Sequence, residues 1–325
     1  MVTRTRLYHG GSLVLEGFPV SDVSGHLTDP ASVVWLDLYR PGAAEFTLLG
    51  DEFGIHELAL EDAVQRGQRP KLDRYRTHEF LSAYAVAVSP DDAELSFSEI
   101  AVLLTGQAMI TVRQDDGFDI DNVVRRWDES PDLAGHGVGF LLHGLLDHLV
   151  DGHFAAVQRL DDGIEELEGL LFATGRREVE AVQRRTFALR KSLVRLRRVV
   201  LPMREVVNAL MRPGLHVITE PLVPYYQDVY DHVLRAVEWT DSLRDLVASV
   251  METNLSVQAN RMNLIMKKVT SWAAIIAVPT AITGYYGQNL PYPGFGRQSG
   301  YITSAVVIVL LSAVLYLTFK RKDWL

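Results

Sequence analysis

Apolar residues alternate with polar ones over short runs in the first third of the chain, recur every three or four positions through the middle, and become nearly continuous close to the C-terminus. The runs 33–38, 79–88, 98–104 and 108–112, each closed by Gly, Pro or Asp, predict four strands. Between the first two, 54–64 predicts a helix, and Pro70 marks the return to the sheet. This part, 1–135, is expected to be a small α/β domain. Beyond Gly135, Gly137 and Gly139 the period lengthens: Leu141, Leu145, Leu149, Phe154, Val157, Leu160, Ile164, Leu167 and Leu171 predict a helix from Phe140 to Phe172. A turn at Gly175 leads into a second helix reaching about Met211, so 136–223 is expected to hold an antiparallel hairpin. Acids gather at the end of its first arm (Asp161, Asp162, Glu165, Glu166, Glu168) and Arg184, Arg185, Arg190, Lys191, Arg195, Arg197 and Arg198 stud the second, a pattern of paired charges on solvated faces.

Pro213-Gly214 breaks the hairpin, and Pro224 opens a third helix with no Gly or Pro before Pro279. Its stretch, 224–287, corresponds to about 95 Å at about 1.5 Å per residue, too long for an ordinary globular element. Its charges stop after Lys268. Val269–Gly287 and Tyr301–Phe319 each meet the length of about 20 apolar residues that a bilayer crossing requires. A short loop, 288–300, joins them, and 301–325 ends in a basic tail, Lys320-Arg321-Lys322. With Lys267 and Lys268 beneath the first span, the positive-inside rule places both termini in the cytoplasm of a multi-pass protein of the cell membrane. Pro279 is expected to bend the first span mildly. The expected fold class is α+β: an N-terminal α/β cytoplasmic domain, a long helix and two transmembrane α-helices per subunit.

Composition agrees with this division. Mean hydropathy is +0.06 although 22% of residues are charged, so the apolar residues must be concentrated. The 41 acidic against 32 basic residues give a net charge of -9, which argues against nucleic acid as a partner and suits cations. Absence of cysteine removes disulfides, thiolate nucleophiles and Cys-based zinc sites. No apolar run follows Arg4 and Arg6, so no signal peptide is expected. Neither a phosphate loop nor HExxH occurs, and the protein is not expected to be an enzyme. His143, His148 and His153, five apart, point to different faces of a helix and make a poor common metal site.

Leading into and along the first span, Asn263, Met266, Thr270, Ala273, Ala277, Thr280 and Gly284 form one small-or-polar stripe. Such a stripe suits a pore lining when several copies assemble, and it equally suits simple helix packing. The motifs around it carry a resemblance. Asn260-Arg-Met-Asn263 with Met266-Lys267 and Thr270, Pro279-Thr280, Tyr286-Gly287-x-Asn289 and the closing Phe319-Lys-Arg-Lys-Asp-Trp-Leu325 are similar to the CorA family of divalent-cation channels, best known for magnesium. Leu60-Glu-Asp62 with Gln68-Arg-Pro-Lys71, Leu189-Arg-x-x-Leu, Leu201-Pro-x-Arg-Glu-Val and Tyr225-Tyr-x-Asp228-Val-Tyr-Asp-His232 extend the likeness over 60–325.

The resemblance implies a homopentamer in a lipid bilayer, with the long helices lining a funnel and the second spans around them. It implies Mg²⁺ as both cargo and regulator, with Co²⁺ and Ni²⁺ as further cargo and no cofactor. Asn289, with Gly287 and Gln288, would ring the external mouth. Thr280, Asn263 and Glu252 would mark the polar track, and Met266 and Val269 a hydrophobic constriction. Asp62 and Asp228 would face one another across subunits and bind the regulatory ion. A neutral amide ring fits Mg²⁺, which sheds water reluctantly and prefers oxygen ligands. Two departures bear on ion identity: the family's usual Gly-Met-Asn is Gly287-Gln288-Asn289 here, and the loop Leu290–Arg297 carries no acid. A zinc transporter of the same superfamily therefore stands as an alternative, as does a membrane-anchored sensor without transport.

Overall fold

The computed structural model describes residues 2–89, 94–130, 133, 135–170, 176–212, 217–288 and 291–325. By compactness the chain divides into Met1–Val250 and Met251–Leu325.

The first unit begins with β1 (Val2–His9), β2 (Ser12–Glu16), a short helix α1 (Val23–His26) and β3 (Ser32–Tyr39). Helices α2 (Ala43–Phe53) and α3 (Glu57–Val64) follow, then β4 (Lys71–Arg74), β5 (Glu79–Val88), β6 (Leu95–Leu104), β7 (Ala108–Arg113) and α4 (Ile120–Asp128). The strands form one sheet in the order β2-β1-β3-β7-β6-β5-β4. Only β3 and β7 run parallel, with Leu36 opposite Ile110. Side chains alternate across the sheet, so each face has its own core. Leu36, Leu38, Phe80, Leu103, Ile110 and Val112 pack with Phe46, Leu49, Ala59 and Ala63 of α2 and α3. Trp35, Leu81, Ala83, Val102 and Met109 pack instead with the long helices.

Those helices are α5 (Val138–Leu170), α6 (Arg176–Leu210) and α7 (Val223–Tyr286). Their apolar stripes, among them Leu145, Leu149, Leu160, Leu193, Leu196, Met203, Val229, Val233 and Val247, join the sheet residues in one continuous core. The α/β part, the helical pair and the first part of α7 therefore share a hydrophobic interior. Tyr226 Oη of α7 donates to the Gly139 carbonyl of α5 at 2.8 Å, and both can approach because a Cβ at Gly139 would strike the Val217 carbonyl and lie 2.9 Å from Leu222 Cδ1. Glu166 of α5 pairs with Arg185 of α6 at 2.9 Å. Arg197 turns the other way, to Asp241 of α7 at 2.6 Å, so only part of the hairpin's charge pattern is used between its own arms.

The four expected strands are present. The helix expected from 54 starts at Glu57 instead, because Gly54, at φ 63, closes α2 and His56 caps α3 by accepting from Leu58 N–H at 3.2 Å. Strands β1, β2 and β4 and helices α1, α2 and α4 were not expected. β1 hides its pattern by burying a charge: Arg6 is 5% exposed and held by Asp128 at 2.8 Å and Glu16 at 3.1 Å. The Gly175 turn and the Pro213-Gly214 break lie outside the described residues.

Buried on α5, His153 is fully enclosed, with Nε2 2.7 Å from the Tyr84 carbonyl and Nδ1 unpartnered. Burial pushes its pKa down to about 4, the Tyr84 carbonyl opposing only in part. The unfolded chain therefore binds a proton below about pH 6.5 that the folded chain refuses, and stability falls as pH drops from about 6.5 towards 4. The expected loss over that window is about 3 kcal/mol. His143 and His148, lowered by burial as well, add to it in the same direction. Denaturant midpoints between pH 7 and 4.5, read by tryptophan fluorescence, test this: His153→Leu should flatten the profile, and an equally steep profile in that variant would refute the assignment.

The second unit holds the rest of α7 and α8 (Gln298–Arg321). α7 is one unbroken helix of 64 residues through Pro279. Both helices contain segments apolar enough to cross a membrane, with mean hydropathy 1.3 and 2.4.

Candidate functional site

Two sets of residues carry the expected chemistry, one in each unit. In the first unit, α3 carries Asp62, and the turn into β4 brings Gln68 and Lys71 back onto it. Lys71 Nζ lies 2.6 Å from Asp62 Oδ2, and Gln68 Nε2 donates to Asp62 Oδ1 at 3.0 Å. Partial burial pushes the Asp62 carboxyl up, but Lys71 and Gln68 more than offset it and leave it below its usual range. Lys71 also pairs with Asp73 at 2.7 Å. The charge of Asp62 is thus already matched inside its own chain.

Asp228 differs. Its side chain is 66% exposed, and the His232 ring lies one helical turn on, with Nδ1 at 3.8 Å. Sequence reasoning missed what lies beside it. Asp147 and Asp151, spaced one turn apart on α5, and His232 of α7 bring their ligand atoms within 4.8 Å of one another. Arg126 of α4 binds both carboxylates, at 2.5 Å to Asp147 and 2.6 Å to Asp151. The only sequence signal was the four-residue spacing of the two acids, since the third member lies some eighty positions downstream. The three histidines of α5 do separate as expected: His143 meets Tyr225 and Tyr226, His148 meets Phe118, and His153 meets the Tyr84 carbonyl.

In the second unit, Glu252, Asn263, Met266, Val269, Thr270, Ala273, Ala277, Thr280 and Gly284 of α7 are all exposed. From Asn263 the stripe steps by three and four residues, a 3.5-residue repeat that stays on one side of a helix. Its length, Asn263 to Gly284, is roughly 30 Å, of which roughly 20 Å, from Thr270 on, lies in the charge-free segment. Among the described residues the stripe stays exposed, with Trp324 beside its first turns. The other faces expose Leu264, Ile265, Trp272 and Ile276, each more than half accessible, which water does not favour and lipid does.

Thr280 Oγ1 donates to the Ile276 carbonyl at 3.0 Å, and Thr283 Oγ1 to the Pro279 carbonyl at 2.8 Å. With its proton committed to the backbone, the Thr280 oxygen can only accept, which suits the outward O–H groups of a hydrated cation. α7 stops at Gly287, whose N–H donates to the Thr283 carbonyl at 2.8 Å; a Cβ there would come within 2.9 Å of that same oxygen. Gln288 is exposed. Tyr286 at the end of α7 meets Tyr292 edge to face at 4.8 Å, and Tyr292 meets Phe295 at 5.2 Å, which shapes the loop into α8. Asn289 and Leu290 lie outside the described residues.

At the other end, Trp324 N–H donates to the Phe319 carbonyl at 3.0 Å, turning the tail back. Trp324 then lines a cleft of about 590 Å³ with Asn260, Asn263, Met266, Lys267 and Thr270. Lys267 and the basic tail are therefore at the same end of this unit.

Comparison with known proteins agrees with this geometry. The family profile described as "CorA-like Mg2+ transporter protein" matches residues 30–321. The cobalt/magnesium transport protein CorA of Thermotoga maritima is 31% identical over 315 residues, 95% of this chain and 88% of that protein. The protein of the same name from Methanocaldococcus jannaschii is 26% identical over 297 residues, 90% of this chain and 92% of that protein. The complete structure of the CorA magnesium transporter from Methanocaldococcus jannaschii shares the fold with a TM-score of 0.79 at 23% identity, covering 100% of this chain and 99% of that one. Two apolar spans after a sheet-and-helix unit, matched over nearly the whole length at sequence level, give the conclusion that the chain belongs to the CorA family of divalent metal-ion transporters.

Proposed function

We propose that the protein is a homopentameric channel of the cytoplasmic membrane that admits hydrated divalent cations, Mg²⁺ foremost with Co²⁺ and Ni²⁺ as further cargo. The observation that carries this reading is the exposed small-or-polar stripe of α7, which runs from below the first span through most of it on one side of the helix. A single such helix cannot enclose a path, so the stripe needs copies of itself. In that assembly Asn289, with Gly287 and Gln288, forms the external mouth, Thr280, Asn263 and Glu252 the polar track, and Met266 and Val269 the constriction. Lys267, Lys268 and the basic tail, gathered at one end, orient that end inward, with both termini cytoplasmic. The membrane potential then drives entry, at about 4.6 kcal/mol per divalent ion for each 100 mV.

Reconstitution into liposomes tests the assignment. Mg²⁺ uptake reported by an enclosed dye is the expected result; absence of any divalent flux would sink transport, and Zn²⁺ flux without Mg²⁺ flux would sink the magnesium assignment in favour of zinc.

Cytoplasmic Mg²⁺ closes the channel by bridging acids between subunits, and the two candidates are not equal in this role. Mg²⁺ at Asp62 must displace Lys71, whereas Asp228 is open to solvent. Facing carboxylates repel when the ion is depleted and loosen the ring. Limited proteolysis at graded Mg²⁺ is expected to show protection in the wild type, a severalfold rise in the Mg²⁺ needed for Asp228→Asn, and a smaller rise for Asp62→Asn. Unchanged protection in the double variant would place the regulatory ion elsewhere.

A further inference from the structure

On a chain of net charge -9, every charged residue lining one cleft of the first unit is an arginine. It measures about 840 Å³ and opens between the turn before β4, the β5 and β6 strands, α6 and α7. Arg69, Arg195, Arg197, Arg198 and Arg244 line it, and no carboxylate does. Three of the five are anchored. Arg195 donates from Nη1 to the Leu95 carbonyl at 3.3 Å and lies 4.6 Å above the Phe97 ring. Arg197 and Arg244 share the Asp241 carboxylate, at 2.6 and 3.3 Å, and Arg244 also lies 4.0 Å from Asp245. Arg69 and Arg198, both exposed, have no hydrogen-bonding or ion-pair partner among the described residues.

Asp241 and Asp245 pair with the cleft's arginines, and Glu99, which accepts from the Gly67 N–H at 2.7 Å, is a third carboxylate beside it, so three acids stand against five guanidinium groups. Gathering cations on one surface costs energy that an anion with several charges removes, and the planar fork of arginine matches phosphate oxygens two at a time. The remaining wall is apolar, with Phe97, Val199, Leu201 and Pro202. Its volume lies in the range of pockets that take cofactor-sized ligands. We propose that this cleft binds a soluble polyphosphate, a nucleoside triphosphate being the ligand class that uses both the arginines and the apolar wall. Arg195, Arg197 and Arg244 supply a preorganised base, and Arg69 and Arg198 close on the phosphate chain.

The test uses the full-length protein in detergent, freed of divalent ions by chelation, titrated calorimetrically with inorganic triphosphate, ATP and sulfate. Saturable binding of triphosphate and ATP, one per chain and stronger than sulfate, is the expected result. Arg69→Gln with Arg198→Gln should weaken it by roughly tenfold or more at an unchanged unfolding midpoint, and Arg69→Lys with Arg198→Lys should keep most of it. Arg198→Gln alone, at an exposed position, gives the same direction should the double variant fold poorly. Absence of saturable binding, or equal affinity in the glutamine variants, would overturn the proposal. So would binding of soluble glycerophosphoglycerol, the headgroup of phosphatidylglycerol, in the absence of triphosphate binding, since the phosphates sought would then be those of lipid.

Discussion

Protein carrying Asn289→Ala, reconstituted into liposomes, is expected to take up no more Mg²⁺ than empty vesicles while its oligomer stays intact on size exclusion. The reasoning begins at the end of α7. Gly287 lets the helix close on the Thr283 carbonyl at 2.8 Å, which puts the negative end of the helix dipole at the start of the loop. Two residues later comes Asn289, a neutral amide in a loop without a single acid. Mg²⁺ keeps its water shell, and an amide oxygen accepts from that shell without replacing it. Alanine removes the acceptor and leaves the ion to shed or reorient its water unaided. A carboxylate would err in the other direction by binding too strongly for release, so Asn289→Asp is expected to slow uptake as well. Gln288→Met, which removes only the second amide, should retain Mg²⁺ uptake. Normal uptake by Asn289→Ala would remove the mouth role and with it this account of selection.

The other large effect concerns folding. Asp37 of β3 is fully buried and accepts from Thr111 Oγ1 at 2.7 Å and from Arg113 Nε at 3.0 Å and Nη2 at 2.6 Å. Arg113 is itself nearly buried and gives its remaining nitrogen to the Phe118 carbonyl at 3.2 Å. Asp37→Ala leaves that guanidinium enclosed without a counter-charge, a cost of about 3–5 kcal/mol. The denaturant midpoint of the first unit should fall accordingly, read through the fluorescence of Trp35 and Trp127, whose rings meet at 4.9 Å on the same side of the sheet. Replacing both partners, Asp37→Leu with Arg113→Leu, should cost clearly less, because an apolar pair avoids the desolvated charge. A single variant no worse than the double one would show that the pair is not the source of the penalty.

Much of the long-range architecture is legible along the chain, and for a physical reason. A charge-free run long enough to cross a bilayer, a helical period sustained over many turns, and a break at Pro or Gly are each stated by neighbouring residues. Spacing therefore places both spans, the long helix and the two arms within a few residues of where they lie. The strands of the sheet's centre, with consecutive Val, Ile and Leu, are legible for the same reason. β1 is not, because a buried Arg6 breaks its alternation and is neutralised by Asp128, over a hundred positions away.

The candidate site divides along the same line. The polar stripe from Asn263 to Gly284 and the arrest at Gly287 follow from spacing along a single helix, and the chain order alone determined them. Tertiary structure decided that the stripe is left exposed, that Lys71 occupies Asp62, that Arg126 binds Asp147 and Asp151 beside His232, and that five arginines from three parts of the chain meet in one cleft. All but the first of these are matters of which charges face each other. Coulomb energy depends on distance in space and on local burial, and neither can be counted along a sequence.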